Sequence, residues 1–270
     1  MSGLKSRFDW YSATFEELDD GRVPAHLAVS LDGVVTWGRG KLGYAYCATI
    51  ERDDEALARV FTGSARPGEV HVAISGDVCD RVVPLIRGLW PEHRVARADS
   101  AMDFTSDFED IDGRALAFAQ ERGLSYRLVT DSDGGATRYL GATSSEVMVR
   151  VYKKSEQLRK VYPERAAEVP DGIVRAELQV RPNTRVKADV AKMTSDDLWG
   201  LGGWTQDFAS TFLDFEPERV STHFRRTADW ARALHYMGKQ YGPTVRKRIE
   251  QVGNDAALAE VLEAMGLSNV

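Results

Sequence analysis

The chain has 270 residues, 43% hydrophobic and 28% charged, which is enough apolar material for a sizeable buried core. The net charge of −6 and the pI near 5.5 exclude a uniformly basic coat, so any attraction for nucleic acid must come from local patches. The two cysteines, Cys47 and Cys79, are too few for a disulfide framework or a zinc site and are typical of a reducing cytoplasm. Apolar runs are shorter than the ~20 residues that span a bilayer, and no export signal is recognisable, so we expect a soluble cytoplasmic protein.

The N-terminal part, up to about residue 76, has the pattern of β-strands. Alternating apolar residues predict strands over 8–15, 44–50 and 70–74. The dipeptide Asp32-Gly33 lies between two apolar runs and predicts a hairpin over 26–37. The turn residues 75–77 predict a helix cap, followed by a helix up to residue 90 that Pro84 is expected to kink or shorten.

Two further predicted strands carry carboxylates on a polar face. The strand over 94–104 places Asp99 and Asp103 on the same side, at most ~13 Å apart. The strand over 173–181 places Glu177 at the middle of its polar face. If these strands are neighbours in one sheet, the three carboxylates share a face. Carboxylates without histidine or cysteine suit a hard cation, so the sequence predicts a Mg²⁺ or Mn²⁺ site.

A third strand, beginning at Glu146, carries the candidate nucleophile. Its valines alternate with Arg150, Tyr152 and Lys154 on the opposite side. A tyrosine held between two cations is expected to favour its ionised form, and therefore to have a lowered pKa, at a place where a phosphate is attracted. The ordinary alternative is a half-buried strand tyrosine whose hydroxyl contacts water.

The acidic segment 107–112 precedes an amphipathic run that ends at Gly123, so capping of a helix is favoured over a metal site. A strand is predicted over 124–130. The following turn, 131–135, resembles a calcium loop, but the glutamate that should end such a loop is missing, which favours a hairpin turn.

The C-terminal part has helical periodicity. Helical turns are expected within 153–167, and from Pro182 onward the period is helical. This change predicts a strand-rich domain over 1–182, which carries the candidate site residues, and a helical extension over 183–270. The glycine run 200–203 lacks the spacing and the Lys-Ser/Thr ending of a phosphate loop. Between residues 219 and 248, eight cations face a single acid, Asp229. This excess predicts a DNA contact, with a solvated helix face or a dimer contact as the alternative. The candidate DNA-binding residues are Arg225, Arg226, Arg246, Lys247 and Arg248.

Five segments together resemble a known family. In chain order they read DWYSATF, VHVAISGDVCDRV, VARADSAMDF, YLGATSSEVMVRVYKKSEQLR and VRAELQVRP. They span residues 9–181 and resemble the trans-acting rolling-circle replication initiators of plasmids and phages, a family that also contains relaxases of small conjugative elements. Arg97, Asp99 and Asp103 match the family's R-x-D-x-x-x-D pattern. Gly141, Ser144 or Ser145, Arg150, Tyr152 and Lys154 match its G-S-x-x-S-x-x-x-R-x-Y-x-K pattern. Arg175 and Glu177 match its R-x-E pattern. Two departures are Lys153, where the family often has aspartate, and Gly141-Ala142-Thr143 in place of Gly-Ser-Arg.

The resemblance implies an α+β fold, in which an antiparallel sheet carries helices on one face and a helical extension follows. This is an HUH-like nickase architecture without the histidine pair, since none of the five histidines forms a His-hydrophobe-His pair. It also implies a reaction: the Tyr152 hydroxyl attacks a DNA phosphodiester and leaves a 5′-phosphotyrosine and a free 3′-hydroxyl. Arg150 and Arg175 would stabilise the developing charge, and Lys154 belongs to the same motif. The implied metal is Mg²⁺ or Mn²⁺, held by Asp99, Asp103 and Glu177.

The implied partners are origin DNA with a single-stranded or hairpin nick site, a replicative helicase, and a second copy of the chain in a homodimer; no membrane partner is expected. A conjugative relaxase with the same chemistry is one alternative function. A DNA-binding module without catalysis is another, and it would be expected to have lost the carboxylates or Tyr152, which are all present.

Overall fold

The computed structural model describes residues 5–16, 21–53, 55–213, 215–220 and 229–264. The chain divides into two compact units, Met1–His223 and Phe224–Val270. The first contains the sheet, and the second contains the last two helices. Within the described ranges, no helix is both long enough and apolar enough to cross a membrane.

The first unit is built on one antiparallel sheet. Its strands are β1 (Arg7–Phe15), β2 (Val34–Arg39), β3 (Tyr44–Arg52), β4 (Glu55–Ser64), β5 (Val70–Ser75), β6 (Arg94–Thr105), β7 (Tyr126–Thr130), β8 (Ala136–Leu140), β9 (Val147–Lys153) and β10 (Ile173–Val180). Their order across the sheet is β2-β3-β4-β5-β1-β6-β10-β9-β8-β7. The sheet therefore brings β6, β10 and β9 together at its middle, as the polar patterns of these strands require.

Helices connect the strands and complete both units. The first unit contains α1 (Arg22–Leu31), α2 (Cys79–Leu89), α3 (Phe108–Glu121), α4 (Lys154–Val161), α5 (Lys187–Val190), α6 (Ser195–Trp199) and α7 (Gly203–Phe212). The second contains α8 (Asp229–Val252) and α9 (Asn254–Ala264). Short 3-10 helices occupy Gly76–Val78 and Pro163–Glu168. The Asp107 side chain accepts hydrogen bonds from the amides of Glu109 and Asp110, which confirms the predicted cap of α3.

The two faces of the sheet differ in polarity. On one face, apolar residues such as Tyr11, Leu178 and Val149 are fully buried. Helices α2, α3 and α6 pack against the strands there, and the Trp199 indole donates to Ser100 Oγ at 2.8 Å. The opposite face carries the polar residues of β6, β9 and β10. The antiparallel α+β fold with helices and a helical C-terminal part is thus confirmed.

Several local predictions were wrong. The predicted hairpin over 26–37 is instead helix α1 followed by strand β2. Pro24 lies in the first turn of α1, where the missing amide hydrogen has no helical partner to lose, so it is compatible with a helix. Asp32 adopts a left-handed conformation (φ 52°) and ends the helix, so the Asp32-Gly33 dipeptide is a helix terminus and not a hairpin turn.

Two other boundaries differ from expectation. Strand β4 was not predicted, and α2 continues through Pro84 to Leu89. Ser75 makes no capping hydrogen bond to the helical turn after it. The predicted domain division after residue 182 also differs from the compact units, because α5 and α6 pack on the sheet and belong to the first unit.

Candidate active site

The polar face of β6, β10 and β9 brings the predicted site residues together. On β10, Arg175 is opposite Asp103 of β6 and Tyr152 of β9. Two residues further along β10, Glu177 is opposite Arg150 of β9. Side chains paired in this way across neighbouring strands are close enough to interact. Antiparallel register therefore turns three separate sequence patterns into one cluster.

Tyr152 is buried and bonded to a carboxylate. Its side chain is 8% exposed, and its hydroxyl donates to Glu177 Oε2 at 3.2 Å. Burial, followed by the charge of Glu177, raises the pKa of Tyr152 well above its ordinary value of 10.0. The cations Arg175 and Arg150 lower the pKa of Tyr152, but by less than burial and Glu177 raise it. The expectation of a lowered pKa is thus wrong, and the hydroxyl needs a base to lose its proton.

Glu177 and Asp99 form an acidic pair around one guanidinium group. Arg150 Nη2 binds Glu177 and lies 3.5 Å from Asp99 Oδ2, while Arg97 Nε donates to Asp99 Oδ1 at 2.9 Å. Asp99 is fully buried. Burial raises the pKa of Glu177 above 4.5, and Asp99 raises it further against the opposing effect of Arg150. A carboxylate with a raised pKa is a stronger base, so Glu177 is suited to accept the tyrosine proton.

A second cluster surrounds Arg175, which is 1% exposed. Its guanidinium group donates from Nη2 to Asp103 Oδ2 at 2.7 Å and from Nη1 to Asp9 Oδ1 at 2.6 Å. Arg7 Nη2 also donates to Asp103 Oδ2, at 3.1 Å. Burial favours a higher pKa for Asp103, but the hydrogen bonds and charges of Arg175 and Arg7 outweigh it and lower that pKa. Two carboxylates therefore hold the Arg175 guanidinium group beside Tyr152.

The three predicted metal ligands do not form one metal site. Asp103 is bound by Arg175 and Arg7, whereas Asp99 and Glu177 are bound by Arg97 and Arg150. In the described ranges, no three side chains among histidine, cysteine, aspartate and glutamate are grouped so as to hold a metal ion. The carboxylates are thus arranged as ion-pair partners of arginine. The observed donor set does not fit a three-carboxylate metal centre.

Two cavities open onto this site. The larger has a volume of about 710 Å³ and is lined by both clusters, by Trp10 and by Lys154. The Arg97 guanidinium group stacks over the Trp10 ring at 4.8 Å. The smaller, of about 220 Å³, is lined by Tyr152, and Glu177 lines both. Burial, with Arg175 nearby, lowers the pKa of Lys154. The site therefore has room for a polar ligand on both sides of the Tyr152–Glu177 pair.

Three residues of the site were not singled out from the sequence: Arg7, Asp9 and Trp10. Asp9 lies between two register positions at an irregularity in the β1–β6 pairing, so the alternation rule did not assign it to the polar face. The available signal was its position at the start of DWYSATF, the first segment of the family resemblance.

The predicted DNA-binding cations have different surroundings. Arg246 and Lys247 are exposed on α8. Arg248 is also exposed but forms a bidentate ion pair with Glu260 of α9, from Nη2 to Oε1 at 2.7 Å and from Nε to Oε2 at 2.8 Å. Arg225 and Arg226 lie outside the described residues. Of the described cations in this set, Arg246 and Lys247 are thus the ones available to a polyanion.

Comparisons with known proteins support the fold. No protein-family model matches the chain, and no curated protein matches it in sequence. Among solved structures, a rolling circle replication initiator protein from Geobacillus stearothermophilus is similar, with a TM-score of 0.55 and 17% sequence identity. The match covers 80% of this chain and 99% of that chain. The similarity therefore extends over nearly the whole of the initiator, and at this identity it establishes a common fold.

Proposed function

We propose that this protein is a rolling-circle replication initiator, which binds an origin and nicks one DNA strand with Tyr152 as nucleophile. The observation that carries the proposal is the hydrogen bond from the Tyr152 hydroxyl to Glu177 Oε2. The contact between this hydroxyl and this carboxylate, beside two guanidinium groups and in a fold shared with a known initiator, supports Tyr152 as the nucleophile and Glu177 as its base. The matched motifs and the site geometry support the same residues independently.

Glu177 acts as the general base in this proposal. It accepts the Tyr152 proton as the phenolic oxygen attacks the phosphorus of a phosphodiester. A bond forms between the tyrosine oxygen and phosphorus, and the bond between phosphorus and the 3′-oxygen breaks. The leaving 3′-oxygen, in line with the attack and on the far side of the phosphorus, takes a proton from solvent, and Glu177 releases the tyrosine proton to solvent. The products are a 5′-phosphotyrosine and a free 3′-hydroxyl, and the reverse reaction rejoins the strand.

The cations stabilise the charge that develops on the phosphate. Arg150 lies on the same strand as Tyr152, two residues away, and keeps a buried Nε that has no hydrogen-bond partner among the described residues. Arg175, fixed by Asp9 and Asp103, contributes positive charge beside the nucleophile. Lys154 lines the larger cavity and is placed to contact the DNA backbone.

Metal dependence remains a prediction that rests on the family resemblance. The carboxylates form ion pairs with arginines in the observed arrangement, so the proposed mechanism does not use a metal ion in any step. A conjugative relaxase would use the same site chemistry on an origin of transfer. A binding module without catalysis is disfavoured, because a base in contact with a buried tyrosine has no role in binding alone.

The proposal is tested with a supercoiled plasmid that carries the replication origin. The full chain should convert it to open circles, with a 3′-hydroxyl that a polymerase extends and a 5′ end that is blocked by protein. A nick that ligase seals without further treatment would have a free 5′-phosphate and would contradict the tyrosine mechanism. Cleavage at an origin of transfer, but not at a replication origin, would favour the relaxase.

A further inference from the structure

The outer end of the hairpin formed by β2 and β3 is exposed and lies far from the Tyr152 site. Strand β2 is at the edge of the sheet, and six strand-to-strand steps separate β3 from β9, which carries Tyr152. At ~4.8 Å for each step, this is a distance of about 29 Å along the sheet. The outer end of the hairpin is therefore not part of the Tyr152 site, although Arg52, at the opposite end of β3, lines the larger cavity and both belong to the same compact unit.

The charge of this hairpin differs from that of the whole protein. Residues 34–52 include three cations, Arg39, Lys41 and Arg52, and one acidic residue, Glu51, which lies away from the tip and accepts from Thr36, in a chain whose net charge is −6. The side chains of Arg39 and Lys41 make no hydrogen bond or ion pair with any residue that the structure describes, and both are exposed. The carboxylate of Glu69, which accepts from Tyr44 at the start of β3, is also engaged by Ser64 and Arg66. Two cations thus remain free for an anionic partner.

Large apolar side chains lie beside these cations. Trp37 is 53% exposed, Leu42 is 76% exposed and Tyr46 is 59% exposed. Arg39 is opposite Tyr46, and Trp37 is two residues before Arg39, so the three side chains lie on one face of the hairpin. Cations beside exposed apolar side chains are typical of surfaces that bind a groove of duplex DNA, where the cations contact the backbone and the apolar residues contact the bases.

The backbone at the tip holds an apolar residue outward. Leu42 has a φ of 58° and is followed by Gly43 with a φ of 89°. A left-handed conformation is unfavourable for a bulky residue, and here it is adopted by the most exposed of the three apolar side chains. A Cβ atom at Gly38 would meet nothing within 4 Å, so packing does not require glycine there. Because Gly38 has no side chain, a partner can approach the backbone of β2 closely at this position.

We propose that the β2–β3 hairpin is a duplex-DNA-binding arm, in which Arg39 and Lys41 contact phosphates and Leu42 contacts the base edges of a groove. Leucine is among the residues that proteins insert between base steps, and two-stranded ribbons fit DNA grooves. This inference rests on the proposed function and adds a second contact, about 29 Å from the nick site. Arg39 and Lys41 are exposed cations that no described carboxylate engages, which favours a polyanion over a protein partner as the occupant.

The test uses the full chain and a fluorescent origin duplex, with binding measured by anisotropy over a salt series. The double variant Arg39→Ala/Lys41→Ala should reduce the log-log salt slope by up to about 1.8, since each lost phosphate contact removes about 0.9. The matched control is Arg185→Ala/Lys192→Ala, which removes the same charge at two other exposed positions and should leave the slope close to that of the parent. Leu42→Asn keeps a residue that tolerates φ above zero and should weaken binding about fivefold or more with the slope unchanged.

The outcomes separate this inference from the proposed function. If the parent chain binds and nicks DNA, and the hairpin variants match the control in slope and affinity, the hairpin inference alone is overturned. If the parent neither binds nor nicks, the proposed function fails as well. Loss of self-association in the variants, measured by sedimentation with an unchanged salt slope, would overturn the inference in favour of a second copy as occupant. Equal urea midpoints for all variants exclude misfolding as the cause.

Discussion

Tyr152 and Glu177 lie diagonally across strands β9 and β10, and a single hydrogen bond of 3.2 Å joins their side chains. The direct cross-strand partner of Glu177 is Arg150, and the direct partner of Tyr152 is Arg175. Within two residues of each strand, the proposed nucleophile and the proposed base are thus each paired across the strands with an arginine.

Glu177→Gln should lower the single-turnover nicking rate by about 10² to 10⁴, the range typical of a lost general base. In the proposed mechanism, ionised Glu177 is the active form, and the pKa of Glu177 is raised above 4.5 by burial and by Asp99. Nicking should therefore decline as the pH falls, at a pH higher than that of an ordinary glutamate. The pH profile of the variant should lack this decline. An identical acid limb in the variant would assign the titration to another group.

If the metal requirement implied by the family resemblance holds for this chain, EDTA should abolish nicking and leave DNA binding intact, and Mg²⁺ or Mn²⁺ should restore nicking. The prediction comes from the family resemblance, because hard divalent ions stabilise charge at a scissile phosphate. Plasmid relaxation is measured beside anisotropy in the same buffer. Undiminished nicking in EDTA would show that Asp99, Asp103 and Glu177 act only through the arginines and Tyr152.

Arg246→Ala should reduce the log-log salt slope of duplex binding by about 0.9, as expected when one phosphate contact is lost. Arg248→Ala should leave the slope nearly unchanged, because Glu260 already engages that guanidinium group. The ratio of origin to random-duplex affinity should stay constant in both variants, since phosphate contacts position the protein without reading sequence. Equal effects of the two substitutions would contradict this division of roles.

His71 should make stability depend on pH. Its ring is buried beside Thr14, with Nδ1 3.1 Å from the hydroxyl, and burial lowers its pKa to about 4. The unfolded chain takes up this proton near pH 6.5, so the stability it contributes is present above that pH and is lost as the pH falls toward 4. The free energy of unfolding should drop by about 3 kcal/mol across this window.

Urea unfolding at pH 7.5 and pH 4.5 measures the effect. His71→Asn should show a smaller difference between the two pH values than the parent. His26→Asn, at an exposed position, serves as the matched control and should behave like the parent. A pH dependence of His71→Asn equal to that of the control would contradict the assignment.

The sequence allowed the site-bearing strands to be predicted because alternation fixes which side chains share a face. Period-two patterns assigned Asp99, Asp103, Glu177, Arg150 and Tyr152 to the polar faces of their strands, and the register brings them together. Alternation did not predict which side chains these residues bind or how far each is buried. Tyr152 is flanked by arginines along and across the strands, yet burial and Glu177 dominate its pKa.

Local turn chemistry was the least predictable feature of the N-terminal part. Asp32-Gly33 suits a hairpin turn as well as a helix terminus, and the helix of residues 22–31 was recognisable only through its packing against β3 and β4. The exposed hairpin of β2 and β3 emerged from the structure, since the sequence gives no indication that Trp37 and Tyr46 remain in solvent.

The proposed reaction links Tyr152 covalently to DNA. The direct measurement is peptide mass spectrometry of the adduct formed on the origin plasmid, together with the Tyr152→Phe variant. We expect the nucleotide mass on the peptide that contains Tyr152, and complete loss of adduct in Tyr152→Phe with origin binding nearly unchanged. Tyr139→Phe and Tyr162→Phe, which remove a hydroxyl from other residues lining the two cavities, should still form the adduct. An adduct that persists in Tyr152→Phe and maps to Tyr139 or Tyr162 would contradict the assignment of Tyr152 as the nucleophile.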